Sequence, residues 1–167
     1  MLCPSTLERP IGRTIPDAGP AKARRPARAA RSKPAERGAG ARPDLAGVRV
    51  LVVEDEALIA LDVTCMLEAL GAEVCGTAAS SADAVRQARG LRPQLAVVDI
   101  HLRDGETGIG VARVMAEELS VAIVFATAYS DPDLQARMAD VAGAARVFKP
   151  YGAAELLDAA RQALRRF

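Results

Sequence analysis

The chain has 167 residues, half of them hydrophobic but only 3% aromatic and none tryptophan, so any core must be aliphatic. The net charge of +1 hides an uneven division: ten Lys/Arg against four Asp/Glu in residues 1–46, twelve against seventeen in residues 47–167. Three cysteines without CxxC spacing argue against a disulfide framework. The opening residues lack the apolar stretch of a secretory signal, and the longest uncharged apolar run, VAIVFATAY, is too short to span a bilayer; a cytoplasmic protein with no membrane partner is expected.

Residues 1–46 are rich in Pro, Ala, Arg and Gly and show no hydrophobic periodicity. Such a segment buries too little apolar surface to offset the entropy of ordering, and is expected to be a disordered basic tail. A basic tail can hold nucleic acid or anionic lipid, act as an inert extension, or reflect a translation start placed too far upstream. It has no aromatic residue on which a base could stack, which favours the last two.

From Val48 the pattern changes. VRVLVV (48–53) reads as a buried strand. Ile59, Val63, Met66, Leu67 and Leu70 then mark one face of a helix that Gly71 ends. EVCGTA (73–78) is a second strand, and its weaker apolar character suits an edge. Ser80 or Ser81 caps the helix SADAVRQARG, which Gly90 closes ahead of Pro93. QLAVVDI (94–100) is a third strand, and GIGVARVMAEEL a third helix with Val111, Met115 and Leu119 in register. VAIVFAT (121–127) is a fourth strand. Asp131 and Pro132 open a fourth helix, DPDLQARMADVAGA. ARVF (145–148) is a short fifth strand, and YGAAELLDAARQALRRF a closing helix with Leu156, Ala160 and Leu164 on one side. Cys65 and Cys75 suit small core positions. Five strand–helix alternations with short connections predict a parallel α/β sheet covered on both faces.

Sheets of this kind bind ligands beyond the carboxyl ends of their strands, so those ends repay inspection. Glu54, Asp55 and Glu56 follow the first strand, Asp99 ends the third, Thr127 the fourth, and Lys149 follows the fifth. Asp99 stands at the end of a run built for burial, where a charge is expensive. It could be an accident of structure, a metal ligand, or the seat of chemistry. Several carboxylates at one point need compensation, and a hard divalent cation such as Mg²⁺ provides it with oxygen ligands. Lys149 adds a fixed positive charge and Thr127 a hydroxyl. Those parts suit phosphoryl transfer, with the cation, Lys149 and Thr127 on the phosphoryl oxygens and Asp99 as the nucleophile that becomes an acyl phosphate. Asp55, backed by Glu54, is the better metal holder. Glu56 reads as a favourable charge in a first helical turn.

With Glu54-Asp55 after VLVV, Asp99 in VVDIHL, Thr127 in FATA and Lys149-Pro150, residues 47–167 resemble the receiver domains of two-component response regulators. The resemblance implies a flavodoxin-like (βα)5 fold with strand order 2-1-3-4-5. It implies Mg²⁺ on Asp55, Asp99 and the backbone carbonyl of His101, with water-mediated help from Glu54, and a cis Lys149–Pro150 bond. It implies a phosphoprotein rather than a turnover enzyme, with self-catalysed phosphotransfer and autodephosphorylation at the aspartyl phosphate. The His101 side chain borders the pocket without being a ligand. Receivers usually carry an aromatic switch three residues before the lysine, where this chain has Arg146. FATAYS (125–130) instead resembles the FATGUY subgroup, with Ala128 in place of glycine. Members of that subgroup are often single-domain partners of HWE-type sensor histidine kinases. Tyr129 is then a switch candidate, or equally a half-buried structural tyrosine.

The implied partners are a sensor histidine kinase or a histidine phosphotransfer protein, an unknown downstream protein, and a second copy of the chain as a candidate homodimer. One helix follows Lys149-Pro150, so output is expected through protein contact or onward phosphotransfer. Two alternatives stand beside this reading. An aspartate-nucleophile phosphohydrolase would place a second aspartate where His101 stands. A nucleic-acid-binding protein would act through the basic tail, with steep salt dependence.

Overall fold

The structure is a computed structural model that describes residues 44–102, 107–128 and 131–167. The expected basic tail lies outside these residues up to position 43. Asp44 to Ala46, assigned to the tail by composition, are part of the fold. Leu45 is buried, its N–H donates to the Leu70 carbonyl at 3.0 Å, and Asp44 pairs with Arg161.

The elements are β1 (Arg49–Val53), α1 (Ala57–Ala69), β2 (Glu73–Ala78), α2 (Ser81–Leu91), β3 (Leu95–Asp99), α3 (Gly108–Leu119), β4 (Ala122–Thr127), α4 (Pro132–Ala139), β5 (Ala145–Phe148) and α5 (Ala153–Leu164). All strand pairs are parallel, and the order is β2-β1-β3-β4-β5. The expected flavodoxin-like receiver topology is present, β3 is its centre, and β2 is an edge.

Alternation along each strand explains how two layers of helix are held. Val50, Val52, Leu95, Val97, Val124 and Ala126 face one way, against α1 and α5. Leu51, Val53, Ala96, Val98, Ile123 and Phe125 face the other, against α2, α3 and Met138 of α4. Between their ends the central strands are therefore apolar at every position, as a doubly covered sheet requires. No helix among the described residues is long and apolar enough to cross a membrane.

Local signals held at most element ends. Gly71 takes a φ of 88° after α1, the Ser80 hydroxyl accepts the Asp83 N–H, and Asp131 caps α4 by accepting the Asp133 N–H at 2.9 Å. Three readings need correction. Gly90 does not close α2, which runs on to Leu91; Arg92 takes the left-handed conformation at φ 48°. The cause is Pro93, which disfavours a helical residue before it. Helix α4 ends at Ala139 rather than near Ala144, because the chain turns back through Gly143 at φ 70°. Cys65 is exposed rather than in the core, on the outer face of α1, while Cys75 is half-buried at a register shift in β2.

Candidate functional site

Strand register brings the polar residues to one rim. Val53 pairs with Val98 and Val98 with Phe125, so Glu54 and Asp99 emerge at the same level. Asp99 pairs with Ala126, and Thr127 with Phe148, which puts Lys149 one step beyond the end of β4. The Lys149 N–H continues the ladder to the Thr127 carbonyl at 2.8 Å, and the Lys149–Pro150 bond is cis.

Glu54, Asp55 and Asp99 each present a carboxylate oxygen within 4.8 Å of the other two. The Lys149 ammonium donates to Glu54 Oε2 at 2.8 Å and to Asp99 Oδ2 at 2.7 Å. The other Asp99 oxygen accepts the His101 N–H at 3.1 Å. This side-chain cluster is largely withdrawn from solvent, with Glu54 4% exposed, Asp99 12% and Lys149 20%. Burial pushes the Glu54 carboxyl above its ordinary range, against the pull of Lys149, and the Asp99 charge adds to the rise. Burial acts to lower the Lys149 ammonium, yet its bonds to Asp99 and Glu54 prevail and hold it above the ordinary lysine value. Three carboxyl groups face one ammonium at this rim. With oxygen donors only, that arrangement fits a hard divalent cation.

Thr127 is fully buried at the end of β4. Glu56 is exposed and its N–H donates to Glu54 Oε1 at 3.3 Å, so it orients a neighbour rather than joining the cluster. His101 is exposed and pairs across the β3–α3 connection with Thr107, whose hydroxyl accepts from Arg137 of α4 at 3.4 Å. Arg146 faces outward from the edge strand β5. Tyr129 lies outside the described residues.

Two features of this rim escaped the sequence. Glu54 is a direct partner of Lys149 across 95 positions, where only a water-mediated role was expected. Tyr151 follows Lys149-Pro150 closely, and its buried hydroxyl finds no hydrogen-bond partner among the described residues. The sole sequence signal was its position just past the fifth strand. Burial is the main cause that pushes this phenol up to about 12, with Glu54 and Asp99 adding to it and Lys149 opposing.

The consequence for stability has a definite sign. A tyrosine with its folded pKa raised from 10.0 to about 12 stabilises the fold fully below pH 10 and loses that contribution as pH rises towards 12. Lys149, raised above 10.5, behaves in the same sense. Denaturant titrations are expected to show stability falling between pH 10 and 12, with a shallower fall in Tyr151→Phe.

A family model for the response regulator receiver domain matches residues 50–161. The chain belongs to this family. It is 37% identical over 121 residues to the transcriptional regulatory protein PdtaR of Mycobacterium tuberculosis, covering 71% of this chain and 58% of that one. It is 34% identical over 116 residues to the phyllosphere-induced regulator PhyR of Methylorubrum extorquens, covering 69% and 43%. The chain thus spans about half the length of these curated relatives. Among solved structures, the signal receiver domain of a modulated diguanylate cyclase from Desulfovibrio desulfuricans G20 superposes with a TM-score of 0.66 at 33% identity, covering 70% of this chain and 93% of that domain. The receiver domain of Erythrobacter litoralis PhyR gives 0.64 at 29% identity, covering 72% and 92%. Membership in a signalling family does not favour the phosphohydrolase or nucleic-acid alternatives.

Proposed function

We propose that this receiver accepts a phosphoryl group on Asp99 from a phosphohistidine, with Mg²⁺ as cofactor, and signals through protein contact or onward phosphotransfer. What supports the reading most is the setting of the Asp99 carboxylate: at the end of the central strand, paired with Lys149, and within 4.8 Å of two further carboxylate oxygens.

In the transfer, one Asp99 oxygen forms a bond to phosphorus. The bond from phosphorus to the donor nitrogen breaks, and the nitrogen keeps the electron pair. The His101 N–H and the Lys149 ammonium hold the carboxylate in line. Once Asp99 is phosphorylated, Lys149 is free to donate to the phosphoryl oxygens, and Thr127 supplies a hydroxyl at the neighbouring strand end. Mg²⁺ held by Asp55, Asp99 and the His101 carbonyl, with Glu54 behind, would neutralise the phosphoryl charge. A groove of about 420 Å³ lies beside Glu54 and Asp55, bounded by Leu61, Thr77 and Asp83.

The donor on this reading is a sensor histidine kinase, of the HWE type if FATAYS marks a FATGUY receiver, or a histidine phosphotransfer protein. With Arg146 at the position of the usual aromatic switch, the moving element is sought at Tyr129 and α4.

The metal part of the reading is tested with Asp55→Asn. Phosphoryl uptake from acetyl phosphate is expected to need at least about tenfold more Mg²⁺ than in the wild type, since losing even a hydrogen-bonded partner of a metal ligand costs about 10–100-fold in affinity. Unchanged Mg²⁺ dependence in a folded variant would contradict the assignment of Asp55.

A further inference from the structure

Gly108 is the first residue of α3, and its backbone gives no reason for it to be glycine, since it is not among the residues at positive φ. Space does. A Cβ at this position would stand 1.9 Å from the Asp99 carbonyl oxygen, and 3.0 Å from both the Asp99 carbonyl carbon and Val98 Cγ1. The Gly108 N–H meanwhile donates to the Ile100 carbonyl at 2.9 Å. The start of α3 is therefore seated directly on the peptide unit that carries the Asp99 side chain.

An added methyl must displace one of two things. Helix α3 is fixed in the core by Ile109, Val111, Ala112 and Met115, all buried, and closely packed interiors resist such a shift. Asp99 is the last residue of its strand, and the ladder to β4 does not continue past it. The peptide unit of Asp99 is the softer side, and turning it swings the carboxylate away from Lys149 and the His101 N–H. We propose that Gly108 is a positioning residue for phosphoryl transfer: its missing side chain lets α3 clamp the Asp99 backbone where the carboxylate meets its partners. The inference rests on Asp99 being the phosphoacceptor.

Gly110 supplies the control. It lies two residues further along α3, is exposed, and a Cβ there meets nothing within 4 Å. Gly110→Ala is expected to raise the melting temperature through better helix propensity and to leave phosphorylation unchanged. Gly108→Ala is expected to slow phosphorylation by acetyl phosphate at saturating Mg²⁺ by about a hundredfold, the order for a reacting group misplaced by ~1 Å. It is also expected to weaken Mg²⁺ binding, followed independently by amide shifts in NMR titration. The double variant Gly108→Ala/Gly110→Ala, studied at low temperature with a stabilising osmolyte, separates positioning from stability.

A double variant with wild-type melting temperature and persistently slow phosphorylation supports the inference. Recovery of the rate together with stability overturns it, as does a Gly108→Ala protein that phosphorylates normally. So does a double variant that stays unfolded under those conditions, which would make Gly108 a folding residue alone. Failure of the wild type to take up phosphate would instead remove the underlying reading of Asp99.

Discussion

Lys149→Met is expected to slow phosphoryl uptake by roughly a thousandfold while leaving Mg²⁺ binding intact or stronger. The rate falls because the side chain contributes the fixed positive charge within 2.8 Å of both Glu54 and Asp99, and a preorganised donor at a developing anionic centre is worth about 10²–10³ in rate. Metal binding survives because the remaining carboxylates become a more negative cluster. Stability should also fall, since Glu54 and Asp99 lose their cation while still largely withdrawn from water. Breaking a fully buried pair costs about 3–5 kcal/mol, and partial solvation of this rim reduces the expected loss to about 1–3 kcal/mol. The difference between variant and wild type has a pH signature. It shrinks in acid, as pH falls through the raised Glu54 pKa and the carboxylate takes a proton. It shrinks again above pH 10.5, as pH rises through the raised pKa of Lys149 and the wild type loses the same charge. Urea titrations at acidic, neutral and alkaline pH read this directly; a difference that does not vary with pH would contradict the electrostatic account.

Phe125→Ala should cause the largest loss of stability, about 3–5 kcal/mol. Phe125 is the largest fully buried side chain in a core otherwise made of aliphatic residues, and it lies on β4 between Val98 and Arg146 in register. Its cluster is tightly packed from Ala, Val, Leu, Ile and Met side chains such as Ala96, Val98, Ile123 and Met115, so removing the ring leaves a cavity that the surroundings fill only in part. For a domain whose net stability is of the order of 5–15 kcal/mol, that is a large share. The midpoint of denaturant unfolding should drop with an unchanged slope. Because Phe125 and Thr127 share β4, residual folded protein should also phosphorylate more slowly.

Much of this was legible before any coordinates. The five apolar runs became five strands because residues such as Val97 and Val124 have no reading other than burial on both faces of a covered sheet. The rim was legible because each polar residue ends its strand or follows it directly: Asp99 at the end of β3, Thr127 at the end of β4, Lys149 after β5. What stayed hidden depends on distances across the chain. Nothing local in Glu54 announces a direct bond to Lys149, and Gly108 looks like an ordinary first residue of a helix until the Asp99 carbonyl is seen beneath it. Arg92 misled for a different reason, since an exposed Gly90 two residues earlier offered the commoner helix stop and Pro93 decided the matter. Composition also misplaced Leu45, because one apolar residue in a Pro/Ala/Arg-rich segment gives no periodicity to read.

The most direct test of the central claim is intact-mass analysis with peptide mapping after incubation with acetyl phosphate and Mg²⁺. The expected result is one phosphoryl group on Asp99, absent with a chelator and absent in Asp99→Asn. A phosphoryl group elsewhere, one that persists in Asp99→Asn, or no adduct together with no consumption of the donor would contradict it.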